Sequence, residues 1–246
     1  MAEKELEKKG TTEVDVFNNE GSTGFEELSS DSYKMPLMKV LSKSSGEVDP
    51  DSEKFDPNVK AGQFYNVATG EVFDELNVIP LKAAHQLFAW GANMGDGLKG
   101  IYPLSERSNI VVSKQGYDSF DVDGNKIKDV MTFYFMDAED MSSIFALSLS
   151  STSFKYGQGF ATRLRNLKKD GKPVNATWRG VWNIKTVKST KGSNSWYTIG
   201  NSPKFSRFIE KEEYENFIHP ALDMLKNAEV DHGVSKDDTE TVNTPY

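Results

Sequence analysis

Residues 63–81, QFYNVATGEVFDELNVIPL, contain two strand-like segments separated by a turn. Aromatic and β-branched residues flank Ala68–Glu71, a pattern that predicts a β-hairpin leading into a long strand. Pro80 has no backbone N–H to donate to a ladder, so it predicts a sheet edge or a bulge at that point. The stretch therefore favours a mainly β fold.

Further strands are predicted on the C-terminal side of this hairpin. The segments Tyr117–Phe120 and Lys126–Phe135 flank an Asp-Gly pair within Asp121–Asn125, which predicts a second hairpin turn. Met141–Leu149 is predicted as another strand. Two aromatic-rich strands, joined by a hairpin loop at Lys191–Asn194, are predicted at Val174–Val187 and Trp196–Phe208.

Two helices are predicted within and after these strands. Ser151–Lys169 has apolar residues at helical spacing with cations between them: Phe154, Phe160, Leu164 and Leu167. Glu210–Ala228 places a second apolar set on one helix face, formed by Tyr214, Phe217, Ile218, Leu222 and Leu225. Pro220 is predicted to kink this second helix or to split it.

The composition divides the chain into a central domain and two polar ends. Residues 1–23 and 229–246 are acidic and lack apolar periodicity, so both are predicted to be flexible tails. Residues 24–228 are predicted to form one domain. The chain has no cysteine and no apolar run of membrane length, which predicts no disulfide, no thiolate metal site and no membrane partner.

Positive charge is concentrated in residues 151–211. That segment contains thirteen Lys and Arg but only two acids, a formal charge of +11 in a chain of net charge −8. Nine aromatic residues are interleaved with the cations. Cations neutralise phosphates and aromatic rings stack on bases, so the combination predicts a site for single-stranded nucleic acid.

Individual candidates for this site can be named from the segment. The predicted phosphate contacts are Lys155, Arg163, Arg165, Lys168, Lys169, Arg179, Lys185 and Lys188. The predicted stacking residues are Tyr156, Trp178, Trp196 and Tyr197. Sequence alone does not separate rings that stack on bases from rings that fill the core.

Motifs for catalysis or metal binding are absent from the sequence. The Asp121–Asn125 loop lacks the glycine and glutamate positions of an EF-hand. The three histidines are far apart, and the chain has neither a Walker A nor a Gly-x-Ser-x-Gly pattern. We therefore predict no catalytic residue, no metal and no cofactor.

Several short motifs together resemble those of a known family. They are Gly62–Glu71 followed by Leu76–Pro80, Met35-Pro36-Leu37, the start Ser150-Ser-Thr-Ser-Phe-Lys155 of the basic helix, and Ser195-Trp196-Tyr197. In this arrangement the chain resembles phage single-stranded DNA-binding proteins built on an OB-fold. The resemblance implies an elaborated OB-type β-barrel with an inserted basic helix and a C-terminal helix.

The same resemblance implies a function and a set of partners. It implies stoichiometric, sequence-nonspecific binding of single-stranded DNA during phage replication, recombination or repair in the host cytoplasm, and it is compatible with a homo-oligomer. The acidic tail is similar to those of replicative single-strand binders, which implies replication proteins as partners. This tail ends in Tyr246, whereas the best-known phage tails end in phenylalanine.

Two alternatives from other classes remain open at this point. In a virion or scaffold-type interaction protein, the cationic segment would contact the acidic remainder of a neighbouring copy. In a metal-dependent nuclease, dispersed carboxylates would act on the nucleic acid that the cations hold.

Overall fold

A computed structural model describes residues 35–93 and 96–227 of the chain. The predicted tails at 1–23 and 229–246 lie outside these residues. The strands are β1 (Leu37–Val40), β2 (Phe64–Asn66), β3 (Val72–Phe73), β4 (Glu75–Trp90), β5 (Leu98–Pro103), β6 (Ser113–Gln115), β7 (Asp118–Phe120), β8 (Lys126–Asp137), β9 (Ile144–Ser150), β10 (Lys168–Lys169), β11 (Lys172–Pro173), β12 (Gly180–Lys185), β13 (Val187–Lys191), β14 (Asn194–Thr198) and β15 (Lys204–Phe208).

The helices are few and mostly short. They are α1 (Arg107–Ile110), α2 (Ser151–Arg165), α3 (Lys211–Glu213) and α4 (His219–Asn227), with 3₁₀ turns at Leu104–Glu106 and Thr177–Arg179. A π-helical turn, Tyr214–Ile218, joins α3 to α4, and we call the run from Lys211 to Asn227 the C-terminal helix. No helix in the described part of the chain is long and apolar enough to cross a membrane.

An eleven-stranded sheet dominates the fold. Eight of its strands follow one another in the order β15-β12-β4-β8-β9-β1-β2-β3, and β5, β6 and β7 branch from this path. The sheet curls, because β3 ends at Phe73 and β4 begins at Glu75. Consecutive Cα atoms are about 3.8 Å apart, so these two residues lie within about 8 Å of each other. The path from β4 around to β3 therefore turns back toward its own start as a half-barrel, and the prediction of a mainly β protein is confirmed.

The long ribbon formed by β4 and β8 extends beyond this half-barrel. Its far end pairs with β5 on one side and with the β6–β7 hairpin on the other. We call this far end of the ribbon, with β5, β6 and β7, the arm. The arm has a small separate core of Leu87, Ala89 and Ile127. The predicted hairpin turn at Asp121–Asn125 is confirmed, because the Asp121 carboxylate accepts hydrogen bonds from the backbone N–H groups of Asp123 and Asn125.

Helices cover both faces of the sheet. Phe160 and Leu164 of α2 pack on one face together with Trp182, whereas Ile218 and Leu225 of the C-terminal helix pack on the other. Residues buried from both sides form continuous apolar runs, as seen over most of β8. The molecule thus has a helix–sheet–helix core whose two helices lie on opposite sides.

The prediction of a helix from Ser151 to Lys169 is wrong at its C-terminal end. The helix ends at Arg165, and Lys168 and Lys169 form β10, which pairs with β11. Asp170 and Gly171 make the intervening turn with φ values of 52° and 76°. An Asp-Gly pair adopts this left-handed conformation readily, so the turn competes successfully with continuation of the helix.

The two predicted aromatic-rich strands are also more broken than expected. The first begins only at Gly180, after a 3₁₀ turn that contains Trp178. Trp178 therefore does not share strand parity with Trp182, and it packs on the opposite face of the sheet. The second is divided into β14 and β15, although the hairpin loop at Lys191–Asn194 is confirmed.

Pro80 lies at a bulge, and this confirms one of the two alternatives predicted for it, a bulge or a sheet edge. The β4–β8 register shifts between Pro80 and Lys82. β4 is a central strand, so the alternative of a sheet edge is wrong. On its other side β4 pairs with β12 only as far as Val78 and with β5 only from Gln86 onward. Pro80 occupies the gap between these partners, where its missing N–H costs no ladder hydrogen bond.

Pro220 neither splits the C-terminal helix nor leaves it regular. The residues before it form the π turn, in which the His219 N–H donates to the Tyr214 carbonyl. Phe217 directly precedes Ile218 and lies about 100° around the helix axis from it. Because Ile218 is the residue buried in the core, Phe217 is 45% exposed, which corrects the prediction that it lies on the buried face.

Candidate nucleic-acid interface

A groove of 690 Å³ lies where the 3₁₀ turn, the end of β15 and the start of the C-terminal helix meet the β10–β11 hairpin. Its lining combines cations and aromatic rings: Lys169, Trp178, Arg179, Phe208, Ile209, Glu210, Lys211 and Tyr214. We call this feature the basic–aromatic groove. It brings together three of the residues predicted from sequence, namely Lys169, Trp178 and Arg179.

The floor of the groove is held by a bulge in the central strand. The Thr177 hydroxyl donates a hydrogen bond of 2.9 Å to the Leu81 carbonyl, which lies at the β4 bulge. Trp178 follows and stacks on Tyr214, with ring centroids 4.5 Å apart and planes 23° from parallel. The bulge thus fixes the turn that carries Trp178, and the C-terminal helix supplies its partner ring.

Two cations of the groove lie over ring faces. The Arg179 guanidinium carbon is 5.3 Å from the centre of the Trp178 ring, and the Lys169 Nζ is 5.2 Å from the centre of the Phe208 ring. Such contacts contribute about 0.5–1 kcal/mol each at exposed sites. A phosphate could therefore draw these cations off the rings and leave the ring faces to bases.

Strand pairing sets the positions of Arg179 and Phe208. Gly180, directly after Arg179, pairs with Phe208 of β15, and the Ile209 N–H donates to the Arg179 carbonyl at 3.0 Å. A Cβ atom at Gly180 would lie 2.9 Å from the Phe205 ring, so only glycine allows this close approach. One side of the groove is therefore built on the edge of the rigid sheet.

The acidic residues beside the groove are engaged with each other and with Arg207. Arg207 donates to both carboxylate oxygens of Glu213, at 2.6 and 2.8 Å. This hydrogen bonding lowers the pKa of Glu213 and raises the pKa of Arg207. Glu210 and Glu213 also form a capping box at the start of the helix. Glu210 is the single acid in the groove lining, against three cations.

Arg163 and Lys185 have partners within the protein. The Arg163 guanidinium donates to the carbonyls of Asn201 and Pro203, at 3.1 and 2.6 Å. The Lys185 Nζ lies 2.5 Å from the Glu75 carboxylate. Neither residue lines the groove.

The remaining candidates on and after α2 lie outside the groove lining. The Lys155 Nζ lies over the Tyr156 ring, 4.8 Å from its centre, and Tyr156 packs partly against the core beneath the helix. Arg165 and Lys168 are exposed to solvent. Lys155 and Arg165 lie on α2, on the opposite side of the sheet from the C-terminal helix, whereas Lys168 lies in β10 beside Lys169.

The last three candidates lie on the separate β13–β14 hairpin. Lys188 pairs with Tyr197, and Ser189 pairs with Trp196. The Tyr197 ring packs on Gly62, where an added Cβ atom would lie 2.5 Å from the ring. The Trp196 indole N–H is buried and, among the described residues, has no hydrogen-bond acceptor. The structure does not bring this hairpin into the lining of the groove.

Sequence reasoning did not single out Phe208, Lys211 and Tyr214 as site residues. Phe208 and Lys211 lie in the cationic segment, and the apolar spacing predicts Tyr214 on the buried face of the helix. The missed signal was Asp170-Gly171, because that turn folds the chain back and brings Lys169 to Phe208. Within residues 35–93 and 96–227, no cluster of three or more His, Asp or Glu side chains could hold a metal ion.

The fold and groove define a mainly β protein with a local cationic and aromatic surface. Residues 6–216 match the family described as Pam3 phage gp34-like protein, so the chain belongs to that bacteriophage family. Comparison with curated proteins found no match, and comparison with solved structures found none.

Proposed function

We propose that this phage protein binds single-stranded DNA without sequence preference, with the basic–aromatic groove as its central contact. The observation that carries the proposal is the convergence of three cations and three rings from four separate elements. Phosphates need the cations, and bases need the ring faces. A solvated lysine-rich surface would not require the rings to be gathered at the same place.

The proposed mechanism is an exchange of partners at the rings. Lys169 and Arg179 cover Phe208 and Trp178 in the free protein. When a strand enters, these cations and Lys211 contact phosphates, and the uncovered rings stack on bases. Each stacked base contributes about 1–3 kcal/mol, which exceeds the cation–π contact that is given up.

The finer parts of the proposal rest on the resemblance found in the sequence, and the family supports the phage origin alone. We place the protein on an OB-type barrel, the half-barrel being the feature that supports it. The role is in phage DNA replication, recombination or repair in the host cytoplasm, with replication proteins as further partners and no catalytic step. Cations of α2 and of the β13–β14 hairpin would extend the DNA path beyond the groove.

Fluorescence anisotropy with labelled oligo(dT), duplex DNA and RNA across a salt series tests the proposal. Oligo(dT) should bind more tightly than duplex of equal length, and log affinity should fall linearly with log salt concentration, with a slope of about −0.7 per neutralised phosphate. Equal or better binding of duplex would refute the stacking mechanism. Self-association without DNA affinity would favour the scaffold alternative, and magnesium-dependent cleavage would favour the nuclease.

A further inference from the structure

One face of the β4–β8 ribbon is buried beyond the point that the C-terminal helix reaches. Tyr134 belongs to the core under this helix, and strand side chains alternate between the two faces of a sheet. Thr132, Val130 and Phe88 therefore share the face of Tyr134 and follow it toward the arm. Their exposed fractions are only 0%, 1% and 7%. We call the surface that these three residues form the ribbon face.

The described helices do not account for this burial. Val130 and Phe88 belong to none of the three hydrophobic cores that the described residues form. Within residues 35–93 and 96–227, the core under the C-terminal helix extends along β4 no further than Ala84, and α2 packs on the other face. A side chain in the middle of a sheet is buried only where another layer packs on it. The burial therefore requires a layer formed by the rest of the chain.

We propose that residues 11–34 of the same chain pack on the ribbon face. The chain continues from this segment into Met35, which packs on the same side of the sheet, in the core under the C-terminal helix. A segment of 24 residues can extend to about 80 Å. The strand from Tyr134 to Lys126 spans only about 26 Å. Residues 11–34 therefore reach the whole ribbon face from their attachment point.

The apolar content of residues 11–34 fits this position. The segment has six large hydrophobic side chains, at Val14, Val16, Phe17, Phe25, Leu28 and Tyr33. Residues 229–246 have three valines and Tyr246. The family match runs from residue 6 to residue 216, so it includes residues 11–34 and the arm but not residues 229–246. We therefore assign the N-terminal segment as the occupant, which replaces the expectation of a flexible tail over residues 11–23.

Charge favours the same occupant. Lys82, Lys126 and Lys128 share the strand parity of the ribbon face. Burial and the nearby Lys126 lower the pKa of Lys128, and Asp118, which pairs with Lys126 at 2.7 Å, opposes this effect. Residues 11–34 carry six acids and one lysine. Their carboxylates would stabilise the charged lysines at the border of the ribbon face.

Thiol reactivity tests the cover on DNA-free protein, so its result is independent of the proposed function. The chain has no cysteine, so a single cysteine reports its own burial through its rate of reaction with dithionitrobenzoate. Val130→Cys is the face reporter, and Ile127→Cys is the core reporter on the other side of the ribbon. Val122→Cys is the reference, since Val122 is 81% exposed. The face reporter should react at least tenfold more slowly than the reference, and equal rates would overturn the proposal.

Substitutions in the full chain then identify what covers the face reporter. Val16→Ser, Phe17→Ser and Phe25→Ser together should speed its reaction about tenfold or more, because the segment loses the apolar area that holds it. Val230→Ser with Val234→Ser, the matched control in the other acidic end, should leave the rate unchanged. Absence of acceleration in the segment variant, or equal acceleration in the control, would overturn the proposal. A rate that rises when the unsubstituted segment is tested at higher dilution would assign the cover to a second copy and contradict it.

A peptide of residues 11–34 separates docking from general loosening of the arm. Added to the segment variant, the peptide should restore slow reaction of the face reporter. If it does not, the proposal is wrong, even where the core reporter has also become fast. Lys82→Gln with Lys126→Gln should raise the peptide concentration needed about threefold or more, whereas Lys155→Gln with Arg165→Gln on α2 should not. Equal peptide requirements in the two charge variants would contradict the charge match that selects this segment.

Discussion

Arg163 and Arg179 carry the same charge in different surroundings. Arg163 donates to two backbone carbonyls, whereas Arg179 lies over the Trp178 ring in the groove. We expect Arg163→Ala to destabilise folding by about 1.5–3 kcal/mol, the range for hydrogen bonds that involve a charged group. Arg179→Ala should weaken oligo(dT) binding about tenfold with little loss of stability. Thermal melts of both variants measure the change in stability, and fluorescence anisotropy measures the change in oligo(dT) affinity. If both variants weakened oligo(dT) binding equally, the assignment of Arg179 to the site and of Arg163 to the fold would be contradicted.

The Arg207–Glu213 pair predicts a dependence of stability on pH. Arg207 lowers the pKa of Glu213 below its ordinary value of 4.5. A carboxylate with a lowered pKa stabilises the folded state above its ordinary pKa, and this contribution is lost as pH falls through the lowered value. Wild type should therefore have a higher melting temperature than Glu213→Gln at pH 7, and this difference should shrink as the pH falls below 4.5 and through the lowered pKa of Glu213. A difference that persists in acid would contradict this origin.

These residues show what charge counting in a sequence can and cannot establish. The excess of cations in residues 151–211 predicted Lys169 and Arg179 as site residues, and both line the groove. It could not distinguish them from Arg163 and Lys185, whose partners are 38 or more residues away in the chain. Such long-range pairing is set by the sheet topology, which local spacing does not contain.

At the scale of elements, two glycines of α2 provide a matched pair. A Cβ atom at Gly157 would lie 2.8 Å from the Met131 Cβ, whereas one at Gly159 would meet nothing within 4 Å. We expect Gly159→Ala to stabilise the protein by about 0.5–1 kcal/mol through helix propensity. Gly157→Ala should destabilise it by about 1–3 kcal/mol through overpacking. Urea unfolding of both variants checks the packing of α2. A Gly157→Ala protein more stable than the Gly159→Ala protein would contradict this packing.

The elements that sequence predicted well are those with strong local signals. The hairpin turns at Ala68–Glu71 and Asp121–Asn125, the β4 strand as far as Leu81 and the β8 strand follow from turn residues and apolar runs. The end of α2, the 3₁₀ turn and the π turn could not be predicted from such local signals. The 3₁₀ turn is held by a tertiary contact, the Thr177 hydrogen bond to Leu81. The end of α2 is decided by competition between the helix and the Asp170-Gly171 turn.

At the scale of the whole molecule, the acidic tail is predicted to compete with DNA. Residues 229–246 carry five acids and one lysine. A coil of 18 residues spans about 20–25 Å, similar to the length of about 20 Å from Tyr214 to Asn227. Deleting residues 229–246 should raise oligo(dT) affinity at low salt, with a smaller gain as salt screens the tail. Unchanged affinity at both salt concentrations would exclude autoinhibition.

The central claim is that DNA enters the basic–aromatic groove, and the salt slope of oligo(dT) binding tests it most directly. Three proteins should be compared: wild type, a groove variant with Lys169, Arg179 and Lys211 changed to Gln, and an α2 variant with Lys155 and Arg165 changed to Gln. In the groove variant the slope of log affinity against log salt concentration should be smaller in magnitude by about 2, because three phosphate contacts at about 0.7 each are removed. In the α2 variant the slope should decrease by a smaller amount. An unchanged slope in the groove variant together with a reduced slope in the α2 variant would contradict the account and place the DNA on the other side of the sheet.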